Sequence, residues 1–277
     1  MYIGLRMAKV RPAAVAGLFY PGSAAELRAA VEGYLAEDGA PALPSTTAPK
    51  APKAIIAPHA GYVYSGPIAG SAFRSLAPAA PAIRRVILLG PAHFVPIHGL
   101  ALPEHPRFAT PLGEVEIDAE GAQAALRLPQ VRVHPAAHAR EHSLEVELPF
   151  LQSLLGEGWT LVPLAVGDAS DEEVAEVLDR LWGGPETVIV ISSDLSHYLS
   201  SPEARRVDRE TAEEIVALRG PLDPARACGA RAINGLLVAA RRRGMVAELL
   251  DLRNSGDTAG DPHRVVGYGA FAFHERS

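Results

Sequence analysis

VILLGPAHF, residues 86–94, is the stretch from which the fold is read. Four branched aliphatic residues run straight into Gly90 and Pro91, and His93 follows two positions later. A short unbroken apolar run closed by turn formers is the pattern of a strand buried on both faces, as in parallel sheets. The same design occurs twice more. AIIAPHAG (54–61) leads to His59, and VIVISSDLSHY (188–198) leads to Asp194 and His197. In an open parallel sheet, ligands bind in the crevice beyond the carboxyl ends of the strands. Three such ends would gather imidazoles and a carboxylate there, which suits a metal ion or acid–base catalysis.

The chain around these runs alternates strand and helix patterns. SAAELRAAVEGYL (23–35) is an amphipathic helix opened by Ser23, with Glu26 three residues on as a capping box. Strand 54–57 is followed by a helix around 67–77. Strand 86–90 is followed by a polar loop with short strands up to about 118. Helices are expected near 119–127, 142–155, 170–182, 203–219 and 229–243. Further strands are expected at 160–166, 187–192, 246–252 and 266–273. This alternation predicts a single α/β domain over 1–277, with a central, mostly parallel or mixed sheet and helices on both faces. The Pro-, Ala- and Thr-rich stretch 39–53 reads as an extended surface connection.

With 277 residues, 48% of them hydrophobic and 21% charged, the chain can bury a substantial core. Its net charge of −6, with no long basic block, argues against nucleic-acid binding. No apolar stretch approaches the ~20 residues needed to span a bilayer. The opening MYIGLRMAKVRP lacks the apolar core and cleavage site of a signal peptide. The expectation is a cytoplasmic protein with no membrane association. A lone cysteine, Cys228, excludes an internal disulfide.

Several constellations carry candidate chemistry. Asp194 and His197 stand at i, i+3, which on a helical turn would put both side chains on one face. The alternative is that Ser193 or Asp194 caps a short helix. REHSLEVELPF (140–150) places Glu141, His142 and Glu145 at an expected helix start, where an acidic first turn follows from the macrodipole alone. His134, His138 and His142 recur at four-residue spacing, but H-E-x-x-H is absent. His134 and His138 are therefore expected to be solvated surface residues. RACGARAING (226–235) sets Cys228 at a helix start, a position that favours the thiolate; a buried inert thiol is the alternative.

Taken together, AGLFYPGS (16–23), AIIAPHAGYVYSG (54–66), ILLGPAHFVP (87–96), EHSLEVELPFLQ (141–152), ISSDLSHY (191–198), RACGARAI (226–233) and VGYGAFAF (266–273) resemble the Memo-like family. These segments run through nearly the whole chain. The resemblance implies a fold similar to the class III extradiol dioxygenases, which use non-haem Fe(II). It implies a divalent metal on His59, His93 and Cys228, with Fe(II) first and Cu or Zn as alternatives. Asp194 and His197 would line the same pocket as catalytic groups. In a catalytic reading Glu141 and His142 would stand behind the ligands; in a binding reading Tyr62 and Tyr64, in the loop after His59, would be recognition groups of the pocket. In the dioxygenases the third ligand is a carboxylate; Cys228 takes that position here, and its soft thiolate shifts preference toward Fe, Cu or Zn. The resemblance also links prokaryotic members to AMMECR-type and radical-SAM proteins.

Two functions follow as expectations. The first is a dioxygenase-like, metal-dependent oxidoreductase acting on an unidentified small molecule, with a metal-dependent hydrolase as a lesser variant. The second is a non-catalytic scaffold that binds a metal or a peptide in an inherited enzyme pocket.

Overall fold

The apolar runs pair side by side because each is buried on both faces. The computed structural model describes residues 10–37 and 51–276. The opening segment 1–9 and most of the connection read over 39–53 lie outside the described residues. The elements begin with α1 (Ala24–Ala36), β1 (Ala54–Ala57), α2 (Tyr62–Arg74) and β2 (Arg85–Pro91). The short strands β3 (Leu100–Leu102), β4 (Arg107–Thr110) and β5 (Gly113–Glu116) follow, then α3 (Ala119–Ala125), β6 (Val131–Val133) and α4 (Pro135–Ala139). Next come α5 (Leu148–Leu155), β7 (Thr160–Val166), α6 (Asp171–Leu181), β8 (Thr187–Ser192) and β9 (His197–Leu199). The chain closes with α7 (Ser201–Val216), α8 (Ala230–Arg242), β10 (Val246–Asn254) and β11 (Val265–His274).

The main sheet has the order β10-β11-β1-β8-β2-β7-β3-β6, with β9 paired to β11. Strands β1, β8, β2 and β7 are mutually parallel; β11 joins β1 antiparallel and β3 joins β7 antiparallel. The molecule is thus a single α/β domain on a mixed sheet, as the alternation predicts. Alternate strand residues serve opposite cores. Ile56, Ile87, Leu89, Ile189 and Ile191 pack with α6 and α8 through Val174, Leu178, Ile233 and Leu237. Ile55, Val86, Leu88, Val188 and Val190 pack with α1, α2 and α5 through Leu27, Phe73 and Phe150. Burial of both faces is why these strands lack a polar alternation.

Most boundaries match, including Ser23 as the N-cap of α1 and strand 160–166. Three differ. α2 begins at Tyr62, not near 67, and carries Pro67 inside it. The ring removes the hydrogen bond to the carbonyl of Val63, a residue 62% exposed. The expected helix over 142–155 is regular only from Leu148, after a short 3-10 turn at Glu145–Glu147. Residues 193–196 form no helical turn, and His197 opens a strand instead. Among the described residues, no helix is long and apolar enough to cross a membrane.

His138 also departs from expectation. It is 1% exposed, and its Nε2 donates to the carbonyl of Ala101 at 2.9 Å. Burial lowers its pKa to about 4, so the folded protein keeps it neutral. An unfolded chain would take up that proton near pH 6.5. Stability should therefore fall as pH drops from about 6.5 to about 4, by about 3 kcal/mol from this residue. Urea titrations across that range should show His138→Gln with a shallower pH slope than wild type. An equal slope in the two proteins would contradict this account.

Candidate metal centre

Because β8 lies between β1 and β2, and all three run in parallel, their carboxyl ends deliver His59, Asp194 and His93 to one place. The His59 and His93 rings are 5.2 Å apart between centroids. A third imidazole joins them from the segment before α5. His142 stacks on His93 at 4.7 Å and lies 5.5 Å from His59. One ligand atom from each of the three imidazoles lies within 4.8 Å of the others. Among the described residues this is the one group of metal-ligating side chains drawn so close.

The segment carrying His142 approaches β2 because position 90 is glycine: a Cβ there would stand 2.8 Å from Ser143 Oγ. Ser143 Oγ instead donates to the carbonyl of Pro91 at 2.9 Å. Gly229 does the same for Cys228, since a Cβ there would meet the Ser192 carbonyl at 2.8 Å and Ser193 Cβ at 2.6 Å. Its N–H donates to Ser193 Oγ at 2.9 Å, which seats Cys228 against the end of β8.

The expected ligand set was His59, His93 and Cys228. The structure groups His59 and His93 with His142, a residue anticipated only as a support. Cys228 Sγ stands 3.4 Å from His59 Nε2 but outside the three-imidazole group. Glu141 lies against His93. Its Oε1 accepts from His93 Nδ1 at 2.9 Å and from the N–H groups of His142 and Ser143, while Oε2 accepts from the His93 N–H at 2.6 Å. Burial opposes ionisation of Glu141, yet these hydrogen bonds hold its carboxyl down at about 2.

Asp194 does not share a helical face with His197. Its Oδ1 accepts from the His59 N–H at 2.8 Å, so it fixes the backbone of the first histidine. Burial pushes its carboxyl up to about 7 despite that bond. His197 bonds to the carbonyl of Leu195, and burial lowers its pKa. Both residues line a cavity of about 490 Å³ with His59, His93, His142 and Tyr64. That volume suits a small-molecule ligand. At its rim Tyr198 holds φ +63° and Arg264 lies 4.4 Å over its ring. A bulky residue in the left-handed region is uncommon and marks a site held by its surroundings.

The two tyrosines separate. Tyr64 faces the cavity, whereas Tyr62 is 2% exposed and its hydroxyl donates to the carbonyl of Val146 at 2.7 Å. Both lie in the first turn of α2, not in a loop. A cavity of about 420 Å³ beside Lys53 lies at the opposite, amino-terminal end of the strands, and Lys53 is bonded there to the carbonyls of Gly184 and Thr187.

The donors fit a borderline or soft cation. Burial lowers His59 well below the ordinary histidine value and His142 to about 4, leaving both in the neutral, ligating form. His142 Nδ1 is buried with no hydrogen-bond partner, although it lies 3.4 Å from Glu141 Oε1. The expected thiolate at a helix start does not arise from the protein alone: burial, then Asp194, pushes the Cys228 thiol up to about 12. Without a metal it is a thiol; coordination would deprotonate it. If Glu141 orients His93, Glu141→Gln should weaken zinc binding by about 10–100-fold, measured by competition with a chelator. Unchanged affinity would show that His93 needs no such support.

A sheet-end cluster of three imidazoles beside a thiol defines an α/β protein with a candidate metal centre. The chain belongs to the Memo-like family, whose model, described as "Memo-like protein", matches residues 11–272. It is 38% identical to a "MEMO1 family protein" of Methanopyrus kandleri, covering 95% of this chain and 98% of the relative. It is 34% identical to a protein of the same description from Nitrosopumilus maritimus (95% and 99% covered) and to one from Aquifex aeolicus (94% and 97%).

Proposed function

We propose that the protein is a metal-dependent oxidoreductase of the non-haem iron type, acting on a small organic substrate in the cavity at the sheet end. The observation that carries this reading is the three-imidazole group with Cys228 Sγ 3.4 Å from His59 Nε2. His59, His93 and Cys228 would hold the ion, with His142 as an additional or exchangeable donor. Imidazoles and a thiolate favour Fe, Cu or Zn over hard cations. Bound there, Fe(II) would supply a redox centre and a Lewis acid.

The protein's own residues would do the rest. Glu141 orients His93, and Asp194 fixes the His59 backbone. His197 and Asp194 would exchange protons with the substrate. Asp194, at about 7, is near the value that serves both directions of transfer at neutral pH. Tyr64 and Phe19 would give the substrate an apolar wall. The test is oxygen uptake by anaerobically purified, Fe(II)-loaded protein across a panel of catechols and other oxidisable aromatics. Uptake that needs both iron and one substrate class supports the reading. A loaded protein that consumes no oxygen with any of them counts against it.

A second reading, a binding scaffold, is favoured by a different observation. Leu18, Val63, Tyr64, Phe94 and Tyr198, in the segments around the cavity, are large apolar residues left exposed. Large apolar residues left exposed around a cavity can serve a binding partner. Binding of a peptide by the metal-free protein would favour this reading.

A further inference from the structure

Behind the candidate metal centre lies a carboxyl group with no part in the reading above. Glu147 is fully buried. Its Oε1 is 2.8 Å from Ser192 Oγ, and its Oε2 has no hydrogen-bond partner. Ser192 Oγ is also 2.6 Å from the carbonyl oxygen of Ser143 and 2.6 Å from His59 Nδ1. Three heavy atoms therefore crowd one hydroxyl, which owns one proton and two lone pairs.

Counting protons leaves one arrangement. The Ser143 carbonyl is only an acceptor, so at 2.6 Å it must take the Ser192 O–H. The other two neighbours must then donate to Ser192. His59 does so if the proton is on Nδ1. Glu147 does so only if its carboxyl is protonated. With Glu147 ionised, Ser192 would have to give its one proton to the carboxylate, and the Ser143 carbonyl would face a bare lone pair at 2.6 Å. We propose that Glu147 is kept as a neutral carboxylic acid that donates to Ser192, and that this chain fixes His59 as the Nδ1–H tautomer with its Nε2 lone pair free for the ion.

Independent features agree. An ionised carboxylate with one oxygen unpaired in the core is costly, whereas the C=O of a neutral acid is far cheaper to leave unpaired. Burial, and then the nearby Asp194, push the Glu147 carboxyl well above its ordinary range, although its bond to Ser192 opposes this. Tyr62, on which Glu147 also acts, is itself buried and neutral. His59 Nε2 is the ring nitrogen 3.4 Å from Cys228, so the assigned tautomer leaves the correct atom for coordination. Glu147 is a positioning residue; its effect on an ion rests on the metal-centre reading, while the tautomer and the protonation state do not.

The test uses the full-length, metal-free protein first. Nitrogen NMR of the histidines, with His59 assigned by its loss in His59→Asn, should show Nδ1 protonated and Nε2 bare at neutral pH. Infrared spectra should show a protonated-carboxyl band at neutral pH that disappears in Glu147→Gln. A His59 protonated on Nε2, or spectra in which Glu147→Gln removes no such band, would overturn the proposal. Zinc titration then reads the consequence. Glu147→Gln, whose amide still donates to Ser192, should bind nearly as well as wild type, while Glu147→Leu should bind about 10–100-fold more weakly. Equal weakening in both variants would overturn the positioning role. A wild type that binds no zinc would refute the metal centre, yet the tautomer and the infrared band would still decide the state of Glu147.

Discussion

Arg11→Met is expected to lower the stability of the fold by about 3–5 kcal/mol, because it leaves a buried carboxylate without its counter-charge. Arg11 is 1% exposed, and its Nη1 meets Glu145 Oε2 at 2.6 Å. The same guanidinium donates from Nε to the His138 carbonyl at 2.7 Å and from Nη2 to the Glu141 carbonyl at 2.6 Å. Glu145 in turn accepts from the N–H groups of Ala14 and Val15 and from the Tyr20 hydroxyl at 2.6 Å. The pair thus ties the amino-terminal segment to residues 138–145, the stretch that carries Glu141 and His142. Arg11→Lys keeps the charge but not the planar fork, so it should recover part of the loss. Urea unfolding of the three proteins gives the comparison. A wild-type midpoint for Arg11→Met would show that the pair contributes nothing.

His197→Ala is expected to reduce iron-dependent oxygen uptake by about 10²–10⁴-fold while leaving the iron content unchanged. His197 enters the cavity from β9, on the β11 side of the sheet, away from the segments that bring the three grouped imidazoles. Burial lowers its pKa, so at neutral pH the ring is unprotonated and ready to accept a proton. Asp194→Asn should also lower turnover, but with a disturbed His59, since its carboxylate holds the His59 N–H. Iron content and uptake rate must be measured on the same preparations. If His197→Ala loses iron in proportion to activity, His197 is a ligand and not an acid–base group.

The strand-end histidines were legible because a buried parallel strand announces itself as an apolar run with a turn at its end. What sequence could not supply was the order of those strands. That β8 lies between β1 and β2 is a property of the sheet, and it decides that Asp194 grips His59 and not His197. EHSLEVELPF reads as a helix from residue 142 because its charges fall where an acidic first helical turn puts them. Pro149 carried the correction: proline favours the first turn of a helix, which places the start at Leu148 and leaves His142 in the lead-in. His138 looked solvated because nothing in its neighbours predicts that Arg11, far away in the chain, closes over its segment. Glu147 was invisible for the same reason, since its meaning depends on Ser192 and Ser143 meeting it.

X-ray absorption of the protein loaded anaerobically with one equivalent of Fe(II) tests the proposed metal centre most directly, with Cys228→Ser as the comparison. The account predicts a sulfur ligand together with imidazole nitrogens in the wild type, and loss of the sulfur with weaker binding in Cys228→Ser. An environment of nitrogen and oxygen alone, unchanged by that substitution, would remove Cys228 from the ligand set; failure to bind iron at all would remove the metal centre.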